Sequence, residues 1–509
     1  MTNDIYDYCI VGSGPISASI LAKLPSSASV VIIDRGGLAE DKTILLKDSL
    51  SIKQPDEWDI SDLFIKSAIK PSSFEAKPYF GDTYSYKYDK QKKSFIPESV
   101  GFGGFSKVWG ATVFPYLKED LHDTCRSFNL EFSDEFSFID SFLKPISHFG
   151  FNDAIKKLDI DFPTTVREVN RGISYQKPKN LFNLTNSLIL PGVVAINYSK
   201  FESEENGCIK CGICQLGCPY DFIWSSDNFI KNKFDHIKYI KGEVMNCTEN
   251  SNCLETITYQ QGTSSFELMS KKVFLCGGAI GNSKILLRTF SKINRITIKD
   301  NQTKIIAGLK LRINTSITKD SLAEFLVFDR NKKNKVITHG QFYTNSRYLQ
   351  SRLISEYPVL TKLPKFLLKH FFLHFFTALT YQSQNASGEI IVGNINNINI
   401  ITKFRIINKL RNRYRNFRFT LLLFFQGLIV IPFVGRNLGI GGGGHIGSIR
   451  LDSWISTDIR RYFMTGKVDE NREIYAFGTS SLPILVPGPV TYMAMVNTAR
   501  QTKLVINAK

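Results

Sequence analysis

Four cysteines fall within eleven residues of the 509-residue chain: Cys208, Cys211, Cys214 and Cys218, the last followed by Pro219. The spacing is the one by which ferredoxin-like segments wrap thiolates around iron and sulfide, soft ligands for a soft site. We expect all four to ligate an iron–sulfur cluster, 4Fe-4S or 3Fe-4S. In two-cluster ferredoxins the fourth cysteine of such a run serves the other cluster, so the last ligand is Cys218 or one of Cys247, Cys253 and Cys276. Zinc is the weaker alternative, because closed zinc sites usually split their ligands into two distant pairs. Redox-active thiols without a metal are the third reading. A second chemical signature lies near the start, where Gly12-Ser13-Gly14-Pro15-Ile16-Ser17 forms a glycine turn. Such a turn lets a pyrophosphate approach the backbone and the first N–H groups of a helix. A third candidate is His445, set behind the run Gly441 to Gly444. A neutral imidazole can take a proton near neutral pH, and His122, His148, His236, His339, His370 and His374 lack such a setting.

The elements around the glycine turn are those it needs. Tyr8 to Val11 reads as a buried strand, Pro15 to about Leu24 as a helix, and Val30 to Asp34 as a second strand ending in an acid placed for a ribose. Ser17 replaces the third glycine, which loosens helix-to-strand packing slightly. A further strand, Lys272 to Cys276, ends in Gly277-Gly278 and leads into a helix over about 280–288. Asn-rich and aromatic alternating segments between and after these suit an antiparallel sheet. The fold expected is α/β: a Rossmann-like dinucleotide-binding domain assembled from discontinuous segments, plus an α+β substrate domain with an antiparallel sheet. The expected division is 1–125 and 205–300 for two parts of the first, 126–204 and 301–438 for two parts of the second, and 439–509 for a closing part of the first.

The chain carries 64 Lys plus Arg against 46 Asp plus Glu, a net charge of +18. That balance favours acidic surfaces, and with no nucleic-acid-binding motif present, anionic lipid is the better candidate partner. Two basic apolar stretches, Lys362 to Thr380 and Phe419 to Val434, are too short or interrupted to span a membrane. They read either as core and lid elements or as a surface that dips into anionic lipid. The opening MTNDIYDYCIVGSG lacks the pattern of a secretory signal, so we expect a cytoplasmic protein, peripheral to the membrane if the lipid reading holds. Nine cysteines there are more often free, metal-binding or redox-active than paired.

Taken in order, these motifs resemble the glucose-methanol-choline oxidoreductase family. Besides YDYCIVGSGPISASIL, the segment Gly101 to Gly110 (GFGGFSKVWG) is similar to that family's glycine loop against the flavin. Val273 to Gly281 resembles its second strand and turn beside the cofactor, and Gly242-Glu243-Val244 its adenine-holding strand. His445-Ile446-Gly447, Val468-Asp469 and YAFGTSSLPILVPGPVTYMAMVNTAR resemble its closing region. The resemblance implies an FAD held by Gly12, Ser13, Gly14, Ser17, Asp34, Arg35, Gly103, Gly104, Ser106, Val244, Gly277, Gly478 and Thr491, with His445 as catalytic base. It implies oxidation of a sugar or other small alcohol, with hydride transfer to flavin and, through the cluster, delivery to a one-electron acceptor. Some bacterial sugar dehydrogenases of the family use three cysteines spaced as Cys208, Cys214 and Cys218 are. Two departures bear on the site: Gly478 replaces the family's usual Asp, and Pro487 stands where many members carry an Asn or His. No His occurs in Ser106 to Trp109, so a non-covalent flavin is expected. Rival readings are an oxygen-using or lipid-alcohol oxidase, and a catalytically degraded flavoprotein acting as a binding or electron-transfer partner.

Overall fold

The computed structural model describes residues 5–36, 83–89, 94–99, 101–128, 130–149, 151–157, 166–169, 187–196, 214, 218, 220–234, 236–250, 253–311, 321–344, 350, 354, 357–393, 399–451 and 458–508. Strand β1 (Ile5–Val11) leads through the glycine turn into α1 (Pro15–Leu21) and returns as β2 (Val30–Asp34). β1 lies parallel to β2 on one side and to the end of β3 (Ser264–Leu275) on the other. Flanked on both edges and covered on both faces, it must be apolar in every position near its end. Cys9 and Val11 face one apolar cluster with Val31, Ile33, Val273 and Leu275. Ile10 faces the other with Ile32, Phe274 and the α1 residues Ile20 and Leu21. Helix α2 (Gly278–Thr289) covers the first face, and α3 (Thr491–Asn507) joins α1 on the second through Val505.

β3 is much longer than the expected Lys272 to Cys276. Its first half pairs antiparallel with Glu255–Gln261, and only its end joins the parallel sheet. There Val273, Phe274 and Leu275 also pair with β4 (Ile474–Ala476), from the far end of the sequence. The sheet order is Glu243–Glu249, Glu255–Gln261, β3, β1, β2, Lys238–Lys241. The parallel sheet is therefore assembled from segments separated by more than two hundred residues, as the mixed α/β reading required.

A second sheet of six antiparallel strands runs in the order Leu428–Asn437, Thr303–Lys310, Phe375–Gln382, Val336–Thr344, Phe325–Arg330, Ser187–Pro191. Alternation gives it two different faces. Phe325, Val327, Phe342 and Phe376 pack beneath helix Ile406–Phe425, through Phe419, Leu422 and Leu423. The opposite face carries Leu326, Phe328 and Tyr343 into the cluster shared with α3, and in the same register His339 pairs with Tyr381 and Phe328. The stretch Lys362 to Thr380 resolves into helix Lys365–His374 and the start of a sheet strand. Phe419 to Val434 is likewise a helix end followed by an edge strand. A four-stranded antiparallel sheet, Asn399–Lys403, Glu389–Gly393, Arg295–Asp300 and Ile446–Leu451, carries the segment just after His445.

Candidate active site

Gly12 and Gly14 are glycines for different reasons. Gly12 has φ +105°, and a Cβ there would lie 2.8 Å from the Cys276 carbonyl oxygen, where the turns after β1 and β3 meet. Gly14 has φ −72°, ordinary for any residue, and a Cβ there would meet nothing within 4 Å. Neither backbone nor packing asks for glycine at 14, and the space over it at the start of α1 is open. Ser17 does not loosen the turn: it is fully buried, and its hydroxyl donates to the Gly12 carbonyl at 2.7 Å.

The acid at the end of β2 is already engaged. Asp34 Oδ2 accepts from the Ser13 amide (2.6 Å) and hydroxyl (2.7 Å), and Oδ1 accepts from the Gly36 amide (2.6 Å). Burial raises its pKa against these hydrogen bonds. Asp34 thus fixes the turn as well as lining the cleft where a ribose was expected.

Ser13 gathers the expected flavin loop. Its hydroxyl accepts from the Gly103 amide (2.8 Å), Ser106 donates to the Gly103 carbonyl (2.6 Å), and the Ser226 hydroxyl donates to the Ser13 carbonyl (2.7 Å). Gly104 comes so close that a Cβ on it would lie 3.5 Å from the Gly14 Cα. Lys107 pairs with Asp227 at 3.0 Å. Ser226 and Asp227, at the start of helix Ser226–Lys233, were missed in the sequence. The available signal was the polar start WSSD before an apolar helix pattern.

A cleft of about 520 Å³ opens beyond the ends of β1 and β2, lined by Gly12, Asp34, Arg35, Glu98, Val244 and Gly277 among others. Arg35 and Lys284 converge on Glu98 at 2.9 and 3.2 Å. Burial, with Arg35 and Arg288 nearby, pushes the Lys284 ammonium down to about 7. A ligand with an acidic or hydrogen-bonding end suits this lining, and the dinucleotide reading fits it.

The turn Gly478–Ser481 (a single 3-10 turn) joins this region to His445. A Cβ on Gly478, at φ +76°, would lie 2.8 Å from Ile16 in α1, and one on Gly447 would lie 2.4 Å from the Thr479 carbonyl oxygen. The departure from Asp at 478 is therefore a packing requirement, since α1 occupies the space a carboxylate would need. Thr491 is the partly buried first residue of α3.

The His445 carbonyl accepts from the Asn301 amide at 3.0 Å, and the Asn301 side-chain amide donates to the Val486 carbonyl at 2.5 Å. Asn301 so ties His445 to the segment holding Pro487. The imidazole meets the Tyr381 ring edge-on at 4.6 Å, and its Nδ1 has no hydrogen-bond partner among the described residues. Burial pushes its pKa down to about 4, so the ring is neutral at physiological pH. The same Tyr381 ring meets His339 at 5.7 Å. His339 is buried, pushed down to about 3 by burial and then by His445, and its Nε2 is also unpartnered. A small cavity is lined by Phe114, Tyr116, Asp120, Phe328, His339 and Pro487, with neighbours, and His445 is not among its lining residues. Sequence reasoning set His339 aside, because its pairing with Tyr381 exists only in the sheet register.

Of the cysteine run, Cys208 and Cys211 lie outside the described residues. Cys214 is half-buried and Cys218 has its sulfur under the amide of Phe222 at 3.4 Å. Burial pushes the Cys218 thiol up. Among the described residues no three His, Cys, Asp or Glu side chains are gathered as a metal site, so the expected cluster has no geometric support here.

No family model and no curated protein sequence matches the chain. Solved structures do. Pyridoxine 4-oxidase from Mesorbium loti superimposes with TM-score 0.56 at 10% identity, covering 99% of this chain and 100% of the other. A formate oxidase gives 0.62 at 12%, and the formate oxidase of Aspergillus oryzae RIB40, in a study of its FAD modification, 0.59 at 12%, each covering 99% of both chains. Over essentially its whole length, the chain has the glucose-methanol-choline oxidoreductase fold.

Proposed function

We propose that the protein is an FAD-dependent oxidoreductase acting on the CH–OH group of a small alcohol. The observation that carries this reading is the open space over Gly14, where neither backbone conformation nor packing calls for glycine, with Gly104 approaching it. The oxidases that share the fold support it. FAD, when bound, supplies the two-electron acceptor for the carbon-bound hydride. Gly12 to Ser17 and the α1 N-terminus would hold its pyrophosphate, and Arg35, Glu98 and Val244 its nucleoside end. His445, neutral and with a ring nitrogen unpartnered, takes the hydroxyl proton as the C–H bond breaks. His339, across Tyr381, is the polar group that stands in for the residue missing at Pro487.

Anaerobic mixing of the yellow holoprotein with benzyl alcohol and, separately, glucose tests the reading. Bleaching of the flavin by at least one of them is expected; a bound flavin that no alcohol bleaches would leave a non-enzymatic flavoprotein.

The Cys208, Cys211, Cys214 and Cys218 run is proposed as the ligand set of an iron–sulfur cluster that passes electrons to a one-electron acceptor. Its support is the spacing. Anaerobically purified protein should hold about three to four iron atoms with matching sulfide. One zinc without sulfide would remove the relay and leave dioxygen, the acceptor implied by the oxidase neighbours.

A further inference from the structure

Helix Ile406–Phe425 contains no acidic residue and presents two apolar faces. One, through Phe419, Leu422 and Leu423, is packed on the six-stranded sheet. The other is in solvent: Ile406, Ile407, Leu410, Tyr414, Phe417, Leu421 and Phe424 are exposed, from 43% at Leu421 to 80% at Ile406. At the helical turn angle these seven fall within an arc of about 100°, the width of a continuous stripe. Its rims are basic. Lys409 and Arg413 flank one edge and Arg411 the other, all exposed, and none has a carboxylate partner among the described residues. Arg418 does not share this role, because it is turned in to Asp329 at 2.8 Å. Helix Lys365–His374 repeats the combination on a smaller scale, with Phe366 and Leu367 exposed beside Lys365 and Lys369.

Two copies of the chain pairing through this stripe would bring like charges together along both rims. The helix has no carboxylate to answer them, unlike the flanking positions of paired helices. A partner that is apolar in its interior and negative at its surface satisfies stripe and rims at once, which is the structure of an anionic bilayer interface. Among the described residues no helix is long and apolar enough to cross a membrane, and a one-sided stripe calls for lying in the interface rather than crossing it. We propose that helix Ile406–Phe425 is a monotopic lipid-binding surface that seats the protein on anionic membranes, with its apolar arc at the acyl boundary and Lys409, Arg411 and Arg413 among the headgroups.

Sedimentation of the full-length holoprotein with vesicles tests this. Vesicles of phosphatidylcholine with about 30% phosphatidylserine should bind it, pure phosphatidylcholine should bind it at least about tenfold more weakly, and raising salt should release it as screening grows. Phe417→Ser with Leu421→Ser, and separately Arg411→Glu with Arg413→Glu, should each reduce binding to the anionic vesicles at least about tenfold. All four positions are exposed, so flavin content and melting temperature should stay at wild-type values. Equal and poor binding to both vesicle types at low salt overturns the proposal. So does a wild-type dimer that the Phe417→Ser, Leu421→Ser variant converts to monomer while vesicles go unbound, since the stripe would then be a self-association face. Binding to polyglutamate but not to vesicles would assign it to an acidic polypeptide instead.

Discussion

As the proposed base, His445 must have a neutral ring, and burial keeps it so. With burial holding its pKa near 4, alcohol oxidation should show no break near the ordinary histidine value of about 6.5 and should decline only as pH falls toward about 4. A steady-state profile of kcat/KM checks this, and a break at 6.5 would assign the base elsewhere. His445→Ala should keep its FAD and lose roughly two to four orders of magnitude in flavin reduction. Asp300, the last residue of strand Arg295–Asp300 and next to Asn301, offers a separate test. Burial raises its carboxyl to about 8, so the folded state holds a proton that the unfolded chain releases near pH 4. The folded state is therefore favoured at low pH and loses that advantage as pH rises through 8. Asp300→Asn, neutral throughout, should flatten the fall in melting temperature between pH 6 and 8; an unchanged slope would show that Asp300 is ionised in the fold. At this scale the sequence singled out His445 by its glycine setting, but not its neighbours. Tyr381 and His339 reach it through the register of three strands, and no local spacing encodes a register between strands forty residues apart.

Among the elements, the two glycines of the first turn give the sharpest contrast. Gly14→Val should fold with a wild-type circular dichroism spectrum and bind no FAD, because only the ligand's space is taken. Gly12→Ala should lower stability as well as FAD content, because it meets the Cys276 carbonyl in a backbone conformation disfavoured for side chains. Stoichiometric FAD in folded Gly14→Val would refute the dinucleotide site. The strand-turn-helix-strand order was readable because each piece is buried on both faces and therefore continuously apolar. β3 was readable only in its last third. Its first half forms a hairpin with one exposed side, and its Ser, Glu and Lys residues hide a strand from an apolar count. Gly478 was noticed as a departure, but its reason, contact with Ile16, needed the packing of two helices and a turn from opposite ends of the chain.

For the whole molecule, the charge of +18 said that an acidic partner was to be expected but not where it would sit. The place proposed for it rests on the distinction between the buried and exposed faces of a single helix. The assembly of the parallel sheet has a different kind of consequence. β1 is made first, yet its partner β3 follows some 250 residues later, and the turn Gly478–Ser481 that presses on Ile16 comes near the end. During synthesis β1, α1 and β2 therefore emerge from the ribosome with one edge of β1 still unpaired, and contacts so distant in sequence form slowly. Stalled nascent chains ending after Asn471 should fail to quench added flavin, whereas chains carrying residues through Asn507 clear of the exit tunnel should quench it. Vitamin supply would then act on finished chains awaiting closure rather than on the growing polypeptide, and flavin-starved cells should accumulate full-length protein that protease cuts within α1 and α3.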